Sequence, residues 1–214
     1  MKDDVVEMAI MLLVTGVTNF SMLQTIVMLY RHQMLFEVGH EVVDRGLTCF
    51  MYHCCNSIDA PLYLDEGQWH RLDNIGAIVC FTNLCWYLMD LRDDQTLRAL
   101  QYGAFGLILI AQEKDPWNPV YTVAPILLSL GAVVAVNFVR GMPKYDKTAF
   151  AQGFLAMFVA VLCFARGLDD ATDPFRFFHG CWHACVSLAM NYFFRTLSPP
   201  YVRSSLLPTD AKFL

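Results

Sequence analysis

Seven apolar stretches, each about as long as a helix needs to cross roughly 30 Å of hydrocarbon, occupy most of this 214-residue chain. They fall at about 5–30, 35–56, 73–89, 97–112, 119–139, 148–165 and 175–197. In lipid a backbone has no water to bond, so each such stretch reads as a helix that satisfies its own N–H and C=O groups. The connections are short and leave no room for a soluble domain. The expected fold is therefore all-α, a seven-transmembrane helical bundle over residues 1–197, followed by a short cytosolic tail over 198–214. That tail opens with Ser198-Pro199-Pro200 and reads as disordered.

Composition points the same way. The chain is 56% hydrophobic and only 16% charged, against about 25% charged in a soluble protein, too little polar side chain to cover a water-facing surface. Its net charge of −5 and its scattered Lys and Arg give no footprint for a phosphate backbone, so no nucleic-acid partner is expected. The first stretch is preceded by an acidic flank, Asp3 and Asp4, and exceeds a signal-peptide core in length, which predicts a retained helix.

Orientation follows from the basic residues. Arg31, Arg92, Arg98, Arg140, Lys144, Lys147, Arg195, Arg203 and Lys212 fall on the side of the tail. Only Lys2, Arg71, Lys114, Arg166 and Arg176 fall on the other. The N-terminus is expected outside and the C-terminus in the cytosol. Trp69, Trp117, Tyr121, Tyr145 and Phe175–Phe178 sit at span ends and suit an interfacial belt, while Gly103, Gly106, Gly131, Gly153 and Gly180 suggest close helix contacts. The eight cysteines lie in or beside apolar stretches and form no CxxC pair, so most read as buried hydrophobes; the redox state of Cys54 and Cys55 stays open.

Ionisable groups at membrane depth are costly and mark functional sites by default. The second stretch carries Glu37, His40, Glu41, Asp44, Arg45 and His53. The i,i+4 pairs Glu41/Arg45 and His40/Asp44 suit salt bridges near the cytosolic interface, with an ion path as the sharper reading. In the seventh stretch His179 and His183 stand one turn apart on one face. Topology puts His53 near the outer end of the second helix, Asp73 at the start of the third, and both seventh-helix histidines in its first two turns. Three imidazoles and a carboxylate at one level are the inventory of a Zn²⁺ site, with His53, His179 and His183 as ligands and Asp73 able to aim a bound water. In the plainer reading His53 bonds a carbonyl and Asp73 caps its helix.

A His near the end of the second helix, an Asp near the start of the third and HxxxH in the seventh resemble the CREST superfamily, which includes alkaline ceramidases and adiponectin-receptor-type proteins. Tyr52-His53-Cys54-Cys55-Asn56, together with Trp117, Val120-Tyr121 and Pro125, is similar to the transmembrane protein 8 group within it. The resemblance implies a multi-pass plasma-membrane protein that promotes myoblast membrane fusion, contacts membrane lipids, forms a homodimer and works beside a small fusogenic membrane protein. It also implies an alternative, a zinc-dependent hydrolase of lipid amides or esters in which Asp73 is the catalytic base. An adiponectin-type receptor is a third reading. The superfamily's hydrolases carry serine one turn before the first His, where this chain has Cys49. A thiol is a poor oxyanion donor, but as a thiolate it could be a fourth metal ligand, closing the site into a structural zinc centre that joins the second, third and seventh helices.

Overall fold

In the computed structural model of the chain, residues 5–197 are described, save 33, 92, 170 and 171 and the side chains of 44, 45 and 94. The expected tail, the acidic flank and the pairing of Asp44 and Arg45 lie outside the described residues. Seven long helical segments appear among the described residues. The first is Val5–Arg31 and the second spans 35–58. The others are Glu66–Leu88, Asp94–Lys114, Pro119–Arg140, Lys147–Arg166 and Phe177–Phe193. Three of them, the first, fifth and sixth, are long and apolar enough to cross a membrane. The fifth and sixth turn Leu128, Phe138, Val139, Phe154 and Leu155 outward, a surface suited to hydrocarbon rather than water.

The first helix changes pitch along its length, with π-helical geometry over Leu12–Gly16 and 3₁₀ geometry over Val17–Met22. Its own side chains supply the cause. The Thr15 hydroxyl donates to Met11 O at 2.8 Å, the Thr18 hydroxyl to Val14 O at 2.7 Å and Asn19 Nδ2 to Thr15 O at 3.0 Å. These donors compete with backbone amides for the same carbonyls. The second helix likewise contains a π-helical stretch, Asp44–Cys49, between regular turns at Leu35–Val43 and Phe50–Ile58.

The third helix starts at Glu66, seven residues before Asp73 and earlier than the apolar run suggests. Asp65 accepts from Gln68 N at 2.8 Å and Gln68 Oε1 accepts from Asp65 N at 3.0 Å, a reciprocal cap that fixes the start. Asp73 is thus an interior residue and not the cap. Downstream, Ile78–Cys80 and Thr82–Leu88 are buried at the centre of the bundle. The fourth helix is capped by Asp93, which accepts from Thr96 N at 2.8 Å; hydrogen bonds from the Thr96 hydroxyl and amide hold its carboxyl below the usual range.

The first and seventh helices run in the same direction. Val14 lies against Gly180 near one end, and further along the Thr25 hydroxyl donates to Ser187 O at 3.3 Å. At the far end Tyr87 Oη donates to Phe194 O at 2.8 Å. Tyr145 Oη donates to Leu88 O and accepts from Asn137 Nδ2. The third, fifth and seventh helices therefore finish together, as an up-and-down bundle requires.

Several expectations change. Trp69 is buried against the second helix rather than standing in a belt, because its Nε1 donates to Leu62 O at 2.8 Å in the turn that brings the chain into the third helix. Of the glycines, Gly153 and Gly180 mark tight helix contacts, whereas a side chain at Gly103, Gly106 or Gly131 would meet open space. Glu37 and Glu41 are buried, and Glu37 accepts from Gln101 Nε2 of the fourth helix at 3.3 Å. All eight cysteines are free thiols.

Candidate metal centre

The regular turn that begins after the π-helical stretch places His53 four residues beyond Cys49, the last residue of that stretch, on one face of the second helix. The first two turns of the seventh helix do the same with His179 and His183. The two faces meet. His53 and His183 bring their Nε2 atoms to 3.0 Å, with ring centroids 4.9 Å apart and nearly perpendicular planes. The Cys49 Sγ lies 3.8 Å from His183 Nδ1. One ligand atom from each of Cys49, His53 and His183 falls within 4.8 Å of the others, and all three residues are buried. This group could hold a metal ion.

The chemistry of the donors fits a borderline-soft cation. A thiolate and two imidazoles are the ligands that Zn²⁺ or a later first-row ion prefers over the oxygen sets of Ca²⁺ and Mg²⁺. Tetrahedral bonds of the usual lengths place N and S ligand atoms about 3.3–3.6 Å apart. The imidazole nitrogens at 3.0 Å are a few tenths of an ångström closer than that, and the Cys49 contact at 3.8 Å is to the other nitrogen of His183. Seating a cation on all three residues therefore requires the rings to open and His183 to present a single nitrogen.

His179 stands beside the group. Its ring centroid is 4.9 Å from that of His53 and 4.8 Å from that of His183, edge-on to both. All three imidazoles singled out in the sequence thus converge, but the most compact group contains Cys49 in place of His179. Asp73 is half-buried, one turn beyond His70 in the third helix, and does not fall in the compact group of Cys49, His53 and His183.

An outer layer orients these ligands. The Cys49 thiol donates to Asn19 Oδ1 at 3.1 Å, and Asn19 is itself anchored on Thr15 O. The Ser187 hydroxyl donates to His183 O at 2.6 Å and lies 2.7 Å from Ser21 Oγ. The first helix thereby supplies polar support to ligands on the second and seventh, as partners beyond the coordinating atoms commonly do. On the other side Tyr52 packs between His53 and His70, with ring centroids 4.9 and 5.1 Å away. His70 stacks flat on Trp117 at 3.7 Å.

Sequence reasoning missed three residues here. The buried Asp173 carboxylate accepts from the Phe178 and His179 amides at 2.8 and 3.0 Å and so fixes the start of the seventh helix. An acid beside Pro174 at a helix entrance was the available signal. Arg176 is buried with φ of 57°, following Phe175 with φ of 57°; two successive left-handed residues that are not glycine are costly, and nothing in the residue types announces them. Asn19 gave no signal, since its role depends on the folded approach of two helices.

No curated protein matches the chain. The sequence model of one family, described as "Protein of unknown function (DUF3522)", matches residues 7–184. That stretch takes in Asn19, Cys49, His53, Asp73, His179 and His183 and most of the helical bundle, and the chain belongs to the DUF3522 family.

Proposed function

We propose that this chain is a seven-span plasma-membrane protein, N-terminus outside, that promotes cell–cell fusion of the myoblast type, with a structural zinc centre joining its second and seventh helices. On this reading it is a divergent relative of Myomaker in the transmembrane protein 8 group. The observation that carries the structural role of the centre is the buried Cys49 thiol beside His53 and His183. A hydrolytic zinc keeps one position open for water and a base beside it. Here a thiolate supplies a ligand where the resembling hydrolases carry serine, and the adjacent His179 ring is the natural fourth donor, giving a closed Cys-His₃ set. Such a centre would brace the outer ends of two helices, leaving the outward apolar faces of the fifth and sixth to the bilayer. Membrane lipids, a second copy of the chain and a small fusogenic membrane protein are the partners the reading implies.

The test is a contents-mixing assay. Fibroblasts that express the chain at their surface and carry one cytosolic marker are mixed with fusion-competent muscle cells that carry another. Shared cytoplasm, abolished by His183→Ala at equal surface display, is the expected result. Normal display with no mixing refutes the fusion reading. Turnover of ceramides or phospholipids by the purified protein, lost in Asp73→Asn, would instead support the hydrolase.

A further inference from the structure

At the end of the molecule opposite the metal group, the end of the first helix and the turn after the seventh line an open surface pocket of about 440 Å³, formed by Gln24, Val27, Met28, Arg31, His32 and Arg195. Arg31 and Arg195, 164 positions apart in sequence, line one space with His32 and Gln24, and among the described residues no acid lines it. Among the described residues neither Arg31 nor Arg195 has an ion-pair partner, in contrast to Arg71, which pairs with Glu113. Basic residues at the end of a span are ordinarily anchors that reach separately for the interface. Two that line one pocket from distant parts of the chain, with an amide side chain on the same pocket, suit instead a multiply charged oxyanion.

The apolar surroundings say what bears that anion. Val27 both lines the cavity and faces outward, and it continues a stripe of Val17, Phe20 and Leu23, each about half exposed. The 3₁₀ stretch Val17–Met22 repeats every three residues, so Val17, Phe20 and Leu23 stay in register before the regular helix carries the line to Val27. The pocket, with its two arginines, therefore adjoins an exposed apolar stripe on the first helix.

We propose that this cavity binds the head group of a phospholipid ending in a phosphate monoester, with an acyl chain laid along the Val17–Val27 stripe. Arg31 and Arg195 meet the phosphate oxygens, Gln24 and His32 donate further hydrogen bonds, and Val27 and Met28 receive the glycerol end. A monoester, with a charge between −1 and −2 near neutrality, matches two fixed positive charges better than the single charge of a diester. Basic pockets between helices at a membrane surface recognise such head groups generally. The site is independent of the metal centre and of the fusion reading.

The experiment uses the full chain purified in dodecyl maltoside, with lipid binding followed by native mass spectrometry and by thermal stability. Dioctanoyl phosphatidic acid should bind and raise the melting temperature, while dioctanoyl phosphatidylcholine, glycerol 3-phosphate and inorganic phosphate should not. Arg31→Gln combined with Arg195→Gln should weaken phosphatidic acid binding about tenfold or more. Arg140→Gln, which removes an exposed charge at the same end of the bundle, should leave it unchanged. Equal binding by the double variant, or equal loss in Arg140→Gln, overturns the site. Glycerol 3-phosphate or inorganic phosphate binding as well as phosphatidic acid overturns the lipid. If the double variant does not fold, Val27→Trp decides, since it fills the mouth and keeps every charge; undiminished binding there also refutes the proposal.

Discussion

Gly180 meets Val14 so closely that a Cβ on the glycine would stand 2.6 Å from Val14 Cγ1 and 2.7 Å from Val14 O. Real Cβ contacts do not occur at that range, and one of the two opposing atoms is backbone, which cannot swing aside. Gly180→Ala must push the seventh helix off the first, at a cost of about 1–3 kcal/mol as overpacking ordinarily gives. The same shift moves His179 and His183 relative to His53. The variant should show a lowered melting temperature and reduced metal content together. Gly106→Ala, where a side chain would meet nothing, should change neither.

The metal group predicts an ordered set of losses. His53→Ala and His183→Ala each remove a buried ligand and should leave the purified protein with little metal by elemental analysis. Cys49→Ser exchanges a soft donor for a hard one, so metal should be retained more weakly and stripped at lower chelator concentration. His179→Ala should fall between wild type and His183→Ala if His179 completes the shell. Asp73→Asn should keep full occupancy. Metal content unchanged in both His53→Ala and His183→Ala would remove the group from consideration.

Much of this arrangement could be read before any coordinates. Helix-length apolar runs located the seven helical segments, because the length a helix needs is a direct count of residues. The i,i+4 spacing of His179 and His183 and the alternation of chain direction brought His53 to them. Misreadings arose where a local signal was outweighed by tertiary contact. Asp73 looked like a cap because hydropathy rises after it, yet Asp65 and Gln68 form the cap, and the polar turn between them and Asp73 is helical anyway. Trp69 looked interfacial by position, but the turn carbonyl of Leu62 gives its indole N–H a buried partner. Cys49 entered only as a possible fourth ligand, since nothing in one sequence says that a π-helical stretch ends at it.

Tyr145 ties three helix ends together. Its hydroxyl donates to Leu88 O and accepts from Asn137 Nδ2 at 3.0 Å, while the next residue's amide donates to Thr196 O at 2.6 Å. Tyr145→Phe leaves a carbonyl and a half-buried amide without this partner and should destabilise the protein by about 1–2 kcal/mol. Asn137→Leu in the Tyr145→Phe background should recover part of that loss, because the unpaired amide is then gone. Denaturant or thermal unfolding of the four proteins in one detergent gives the cycle. Strict additivity would mean that the two side chains are not coupled.

Asp173 gives the sharpest link between stability and the candidate site. Its two carboxylate oxygens take the amides of Phe178 and His179 separately, so the first turn of the seventh helix is held by one buried side chain at the point where its first histidine begins. A bulkier neighbour is not available to replace it, because a Cβ on Gly167 would already lie 2.8 Å from His179 N and 3.1 Å from Asp173 Oδ2. Asp173→Asn keeps one acceptor oxygen and presents an N–H₂ group to the other amide. It should cost about 1–2 kcal/mol, and Asp173→Ala more. The loss is local before it is global: amides 178 and 179 should exchange hydrogen faster in Asp173→Asn while those of the buried third helix keep their protection. Metal should be held more weakly in step with that fraying, since His179 and His183 lose the fixed start of their helix. Faster exchange at 178 and 179 with undiminished metal affinity would show that the second helix and the lower turns of the seventh position the ligands without help from this cap.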